Sequence, residues 1–510
     1  MPTTRPTPSP FAAALLLVAA LTVARVVTLF MTPLELYPDE AQYWLWSRTI
    51  DFGYYSKPPM IAWLIAATTA IGGDGEAWVR LSAPLLHGAA ALALAAAGGR
   101  LYDGWAGFWS AAIYSLMPGV QLSSAVIATD APLLLFLSLA LLAYAALWRG
   151  GGDRAALALG AALGAATLSK YAALYFIAGL LAHVLLSPEA RCTWRPRRLA
   201  LAAAAALVVL GPNLVWNALN GFETVAHTAA NANWEQDQRF QLGSWLEFAG
   251  EQFGVFGPVA LAALLFGGIA LALRRRLTAE DGLLLCLALP PLLIVSAQAF
   301  ISRANANWAV AAYAPASVLV AAWLVRWRAR RTLGALVLVQ GALAALFVVG
   351  VAAPAVADAL GLSNGLKRAR GWRATTEAVL VRLEPGLTAI AVDDRFLYNA
   401  MAYYGRDRLR APGAPPLTVW VREAEPQNQA ESTTPLTPTL GDRVLAANLV
   451  EDYRAEMKRD FVRTAAPRDS VVRLDPERTR AVHTFIASGY VRQPRDPATG
   501  LPVSPGPTPP

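Results

Sequence analysis

Charge and cysteine are what this chain has least of. Only 15% of its 510 residues are charged, two are cysteines and four are histidines. Cys192 lies in a basic loop and Cys286 inside an apolar run, so neither a disulfide framework nor a cysteine metal site is suggested. Four histidines leave little room for a histidine cluster. No Gly-rich phosphate loop and no internal repeat is found, which removes the usual cradle for a nucleotide and the paired halves common among transporters. What is abundant is apolar: 56% of residues are hydrophobic and the mean hydropathy is +0.41, the profile of a polytopic membrane protein. The formal charge of +8 sits in short clusters between apolar runs, where orientation in a membrane accounts for it, and nucleic acid is not an expected partner.

Apolar runs of spanning or near-spanning length lie at about 11–30, 81–99, 105–120, 131–148, 155–170, 172–187, 199–218, 254–273, 282–300, 307–325 and 332–356. They predict about eleven transmembrane helices, the first read as a retained signal anchor because its run has no clear small-residue cleavage site. With Met1 in the cytoplasm, the loops at Trp148–Arg154, Arg191–Arg198, Arg274–Arg276 and Arg326–Arg331 all fall inside, as the positive-inside rule requires. The same count puts 31–80, 121–130, 219–250, 301–306 and everything after about Ala357 outside. Three segments are expected: a membrane domain over 1–360, a small α/β domain over 361–492, and a disordered Pro-rich tail over 493–510. Leu387–Val392 and Leu417–Val421 read as strands, Phe396–Tyr404 and Leu445–Phe461 as helices.

Polar residues at the predicted outer face carry the candidate chemistry. Asp39 and Glu40 follow the first helix among Tyr37, Tyr43, Trp44 and Trp46. Such a pair can act as general base or hold a divalent cation, or can simply cap a helix start in an aromatic belt. Lys57, before Pro58-Pro59, is held on an extended backbone and suits a lipid phosphate, or snorkels at the interface. Asp130 stands at the outer end of its helix, as a cavity-wall acid or a helix cap. Lys170, between two short apolar halves, reads as a boundary marker with a functional role left open. The loop holding Asn213, Trp216, Asn217, Glu223, His227 and Trp234 combines amides and rings, the means by which proteins hold sugars, and Arg303 can clamp a phosphate. Two acidic sites and two cations thus share one predicted face.

Taken in order, the early DE, YYSKPP, TDAP, LSKY, the WNA loop and SRANANW resemble the bacterial lipid-linked-sugar glycosyltransferases of the family 39/83 type. That family includes the lipid A aminoarabinose transferase, the rhizobial galacturonosyltransferases and, more distantly, protein O-mannosyltransferases, and the similarity covers about residues 10–330. It implies a GT-C-type fold, in which membrane helices and the juxtamembrane helices of the first outer loop enclose a cavity at the periplasmic surface. It also implies a location in the bacterial inner membrane, with active site and C-terminal domain facing the periplasm. Asp39 then matches the first-loop acid that acts as base or holds the acceptor, with Glu40 beside it, and Asp130 matches a second acid on the cavity wall. Lys57 matches the donor-phosphate lysine, with Arg303 and Tyr55 as further phosphate contacts, while Tyr54, Trp216, Asn217 and His227 are expected at the sugar or acceptor. Ser56 stands where the aminoarabinose enzymes have an acid, which removes a possible ligand and leaves a divalent cation an open question. The expected partners are a polyprenyl-phosphate-linked sugar, a lipid or glycan acceptor such as lipid A or lipopolysaccharide core, and membrane lipids. A protein O-mannosyltransferase-like enzyme, a lipid-linked-sugar transporter and a non-catalytic envelope protein are the competing readings.

Overall fold

The computed structural model describes residues 9–230, 240–274, 276–497 and 499–502. The chain divides into two compact units, Met1–Thr32 with Asp51–Ala352, and Pro33–Ile50 with Ala353–Pro510.

The first unit is helical. Among the described residues, seven helices are long and apolar enough to cross a membrane: Pro10–Met31, Glu76–Leu101, Asp130–Trp148, Pro196–Leu219, Ala279–Ile301, Ala306–Arg326 and Arg330–Ala352. The pair Leu242–Phe256 and Pro258–Leu273, bent by 112°, adds an eighth if it is one span. The other predicted runs fall on shorter or less apolar helices, Gly104–Leu116, Gly152–Ser169 and Tyr171–Leu186. Packing relies on small residues, as it must where lipid supplies no hydrophobic drive between helices. A Cβ on Gly160 would come within 2.0 Å of the Ala202 carbonyl, so only glycine lets the 152–169 and 196–219 helices close this tightly.

Polar groups inside the apolar unit are bonded to one another. Pro118 has no N–H and breaks the helix between Gly104–Leu116 and Pro118–Ala125. The Ser115 carbonyl near that break accepts from Arg25 and, at 2.7 Å, from the Gln121 amide, and Gln121 Oε1 in turn accepts from Arg25 at 3.1 Å. Arg25 is thus a buried guanidinium that ties the first helix to the break. At the end bearing the basic loops, Asp281 is fully buried and accepts from Arg326 (2.7 Å) and Tyr102 (2.8 Å).

The second unit is a six-stranded mixed sheet with helices on both faces. Strands β1 (Ala389–Val392), β2 (Leu417–Val419), β3 (Val444–Asn448), β4 (Phe461–Thr464), β5 (Arg468–Arg473) and β6 (Thr479–Tyr490) order as β2-β1-β3-β6-β4, with β5 also paired to β6. Strands β1, β2 and β3 are mutually parallel, and β3, β4 and β5 each run antiparallel to β6. Alternation sorts the side chains by size. Ile390, Val392, Leu445 and Ala447 pack with Val379, Leu397 and Met401 on one face, while Ala389, Ala391, Val444 and Ala446 pack with Met457 and Phe485 on the other.

The structure corrects the sequence reading in three places here. Leu445–Phe461 is not one helix: VLAAN forms the buried strand β3, and only Glu451–Arg459 is helical. A short, continuously apolar run in the middle of a sheet has no period that separates it from a helix. Residues 33–50 pack with the α/β unit, because Leu45 joins its core and Trp44 meets Tyr403 edge-on at 4.9 Å. The folded chain also continues past 492: Arg495, 5% exposed at its side chain, pairs with buried Asp460 at 2.8 Å, while 503–510 lie outside the described residues.

Candidate active site

Tyr54 and Lys57 close a tight turn, Tyr54 N–H donating to the Lys57 carbonyl at 3.1 Å, before Pro58-Pro59 leads into the helix Met60–Gly72. The turn is braced by the last turns of the 196–219 helix and the segment after it. Asn213 donates to the Phe52 carbonyl (2.6 Å), Thr224 donates to the Tyr54 carbonyl (2.6 Å), and His227 stands edge-on to Tyr55 with ring centres 5.7 Å apart. The Trp216 ring lies over Gly53, where a Cβ would come within 2.3 Å of it. Tyr54 is only 2% exposed and burial pushes its phenol up to about 12, so it serves the turn's scaffold as a neutral hydroxyl, which accepts from the Asp51 N–H at 3.2 Å.

Asp130 opens the 130–148 helix and has both carboxylate oxygens engaged. Lys170 Nζ meets Oδ1 at 2.7 Å and Asn307 Nδ2 donates to Oδ2 at 2.8 Å. Lys170 stands on extended backbone (φ −163°, ψ 136°) between Gly152–Ser169 and the 3-10 turn Tyr171–Ala173, so the lysine expected as a boundary is a boundary with a carboxylate partner. The neighbouring Tyr171 hydroxyl accepts from Asn217, which also donates to the Asn213 carbonyl at 2.9 Å. A continuous set of contacts therefore runs from Asp130 through Lys170-Tyr171 and Asn213-Trp216-Asn217 to the Tyr54–Lys57 turn. Asn307 was missed from sequence; it lies in the same SRANANW stretch that drew attention to Arg303. Arg303 itself is exposed, with no ion pair among the described residues. Trp234 lies outside the described residues.

Asp39 and Glu40 belong to the α/β unit, on the helix Pro38–Trp46, and they differ sharply. Glu40 is fully buried and its carboxylate accepts from the Tyr37 N–H at 2.8 Å, the reciprocal half of a capping box. Asp39 has a side chain 47% exposed, with the Arg395 guanidinium 4.0 Å away. Just before the helix, Glu35 accepts from the Trp372 N–H, and burial raises its carboxyl above the usual range. Of these acids, Asp39 combines solvent access with a nearby cation. Among the described residues, no three His, Cys, Asp or Glu side chains gather into a group that could hold a metal ion.

A helical, multi-pass membrane protein carrying a small mixed-sheet domain is the class this architecture defines. Residues 56–216 match the family model described as dolichyl-phosphate-mannose-protein mannosyltransferase. The lipid A galacturonosyltransferase RgtD of Rhizobium johnstonii is 37% identical over 419 residues, covering 80% of this chain and 87% of that protein. ArnT from Cupriavidus metallidurans superposes in its apo state with a TM-score of 0.63 at 17% identity (92% of this chain, 97% of that one). Its undecaprenyl-phosphate-bound form gives 0.62 at 19% with the same coverage. The chain belongs to the lipid-linked-sugar glycosyltransferases of the family 39/83 type, is a glycosyltransferase, and has the GT-C-type fold.

Proposed function

We propose that this enzyme moves a sugar from a polyprenyl-phosphate donor to a lipid A-type glycolipid acceptor at the periplasmic face of the inner membrane. The observation that carries this is the relative's coverage: 37% identity to a lipid A galacturonosyltransferase extends over 80% of the chain rather than over one shared segment. The bound lipid of the ArnT structure, undecaprenyl phosphate, supports the donor class.

In this reading Asp39 takes the proton from an acceptor hydroxyl, whose oxygen attacks the anomeric carbon as the bond to the donor phosphate breaks. One such displacement inverts the anomeric centre. Charge grows on the leaving polyprenyl phosphate, and Lys57, with Arg303, supplies fixed cations for it. Glu40 holds the helix start that presents Asp39. Asp130, whose oxygens are both occupied, positions Lys170 and Asn307. Trp216 and His227 brace the Lys57 turn.

The test is transfer from a panel of radiolabelled polyprenyl-phosphate sugars to lipid A-containing membranes. Asp39→Asn is expected to lose about 100-fold or more, the usual worth of a positioned base, and Lys57→Ala a comparable factor. Label in polypeptide instead of glycolipid would favour the protein O-mannosyltransferase-like reading, which the family description keeps alive. Wild-type transfer rates in both variants would remove both residues from the chemistry.

A further inference from the structure

The α/β unit carries an arginine-lined cleft that the reading above does not use. Strands β4 and β5 run along the same edge of β6, and the register shows a break between them. Thr464 pairs with Ala487 and Arg468 with Thr484, so three residues, Ala465-Ala466-Pro467, oppose two. This is a β-bulge at a sheet edge, the kind of irregularity that re-aims side chains near binding sites, and Pro467 fits it because an edge position needs no N–H. The bulge opens a cleft of about 460 Å³, floored by Leu445, Thr484 and Ile486.

Three arginines line it, Arg382, Arg443 and Arg468, against one acid, Glu384. Glu384 is already paired with Arg443 at 2.7 Å. Arg468 is exposed, and neither it nor Arg382, just past the helix Trp372–Leu380, makes an ion pair among the described residues. The anion that best matches a permanently charged guanidinium fork not engaged by a carboxylate of the chain is a phosphate or carboxylate taken in bidentate fashion. The volume suits about one sugar unit with its substituent. The geometry points to this cleft as a docking site for a phosphorylated saccharide, the head group of the acceptor. The inference rests on the lipid A-type acceptor proposed above.

The full chain in detergent micelles is titrated calorimetrically with a de-acylated glucosamine disaccharide carrying two phosphates. Binding is expected for wild type and for Lys57→Ala, and about tenfold or more weaker for Arg382→Gln/Arg468→Gln, which gives up two charge-assisted contacts. Arg468→Glu alone, at an exposed position, repeats the loss in a chain that keeps Arg382. Unchanged affinity in these variants overturns the site, as does a loss seen only with Lys57→Ala, which would place the phosphates in the helical unit. Absence of wild-type binding overturns it too, and inorganic phosphate binding as tightly as the disaccharide would mean an adventitious ion only. The transfer assay separates the two proposals: binding without transfer sinks the acceptor reading and, with it, the cleft's role as the acceptor's dock while leaving a phosphosaccharide site, and transfer without binding sinks the cleft alone.

Discussion

Residue types announced Asp130 and Lys170 in the sequence, but their partnership is tertiary. One opens a helix at 130 and the other ends a helix at 169, and no pattern of spacing links them. The side chains are 8% and 19% exposed, so the 2.7 Å contact is a largely desolvated ion pair. Such pairs contribute little over an apolar replacement, yet breaking one from a single side is costly because the remaining charge stays buried. Lys170→Ala is therefore expected to destabilise the protein by roughly 3 kcal/mol. Asp130→Asn, which leaves Lys170 without its counter-charge and one amide oxygen for two donors, should cost a similar amount, about 3 kcal/mol. The double variant Asp130→Asn/Lys170→Met should cost less than the two single losses together. Chemical unfolding in detergent micelles measures all three; a Lys170→Ala chain within about 0.5 kcal/mol of wild type would show that water, not the carboxylate, solvates the lysine.

Elements were legible in proportion to how much lipid or water decided them. The long apolar runs became helices because a membrane permits little else, whereas β3 was misread because its neighbours in the sheet, not its own period, make it a strand. Gly53 and Arg25 escaped notice for the same reason: one matters through a ring 163 residues later in the chain, that of Trp216, and the other through the carbonyl exposed by a distant proline break. The sheet holds a further element-scale property. At the carboxyl end of β1, Asp393 is 7% exposed and accepts from the Leu449 N–H at 3.2 Å. Burial, helped by neighbouring Asp394, pushes its carboxyl up from 3.8 to about 7. For an acid raised on folding, the stabilising effect is complete below the unfolded value and is lost as pH climbs through the folded one. The β1–β3 core should accordingly loosen between about pH 4 and pH 7, by up to about 4 kcal/mol if the whole shift is realised. Asp393→Asn should flatten most of that slope, with a remainder from Glu35, Asp394 and Glu431, which burial also raises. Hydrogen-exchange protection of β1 and β3, corrected for intrinsic rates at each pH, reads this directly, and equal slopes in variant and wild type would refute it.

For the whole molecule, the expected orientation is argued from where arginine is tolerated. Arg149 and Arg154, Arg191, Arg195, Arg197 and Arg198, Arg274 to Arg276, and Arg326, Arg328, Arg330 and Arg331 occupy four short connections. The structure shows that two of these connections are tied together by acids: Asp281 binds Arg326, and the adjacent Glu280 binds Arg149 at 2.7 Å. They therefore share one end of the helical unit, independently of any count of spans. Lysine and arginine in short loops are retained on the cytoplasmic side, so that end is expected inside. On that orientation each pair of helices between successive basic loops turns outside, and the chain after the 330–352 helix is expected in the periplasm. Alkaline phosphatase, which folds to an active form only after export, fused after Pro502 is expected to be active, and the same enzyme inserted at Arg195 inactive. The opposite pattern would put Asp39 and the sheet domain on the cytoplasmic face, where a polyprenyl-phosphate donor facing the periplasm could not be used, and would overturn the orientation and the proposed acceptor together.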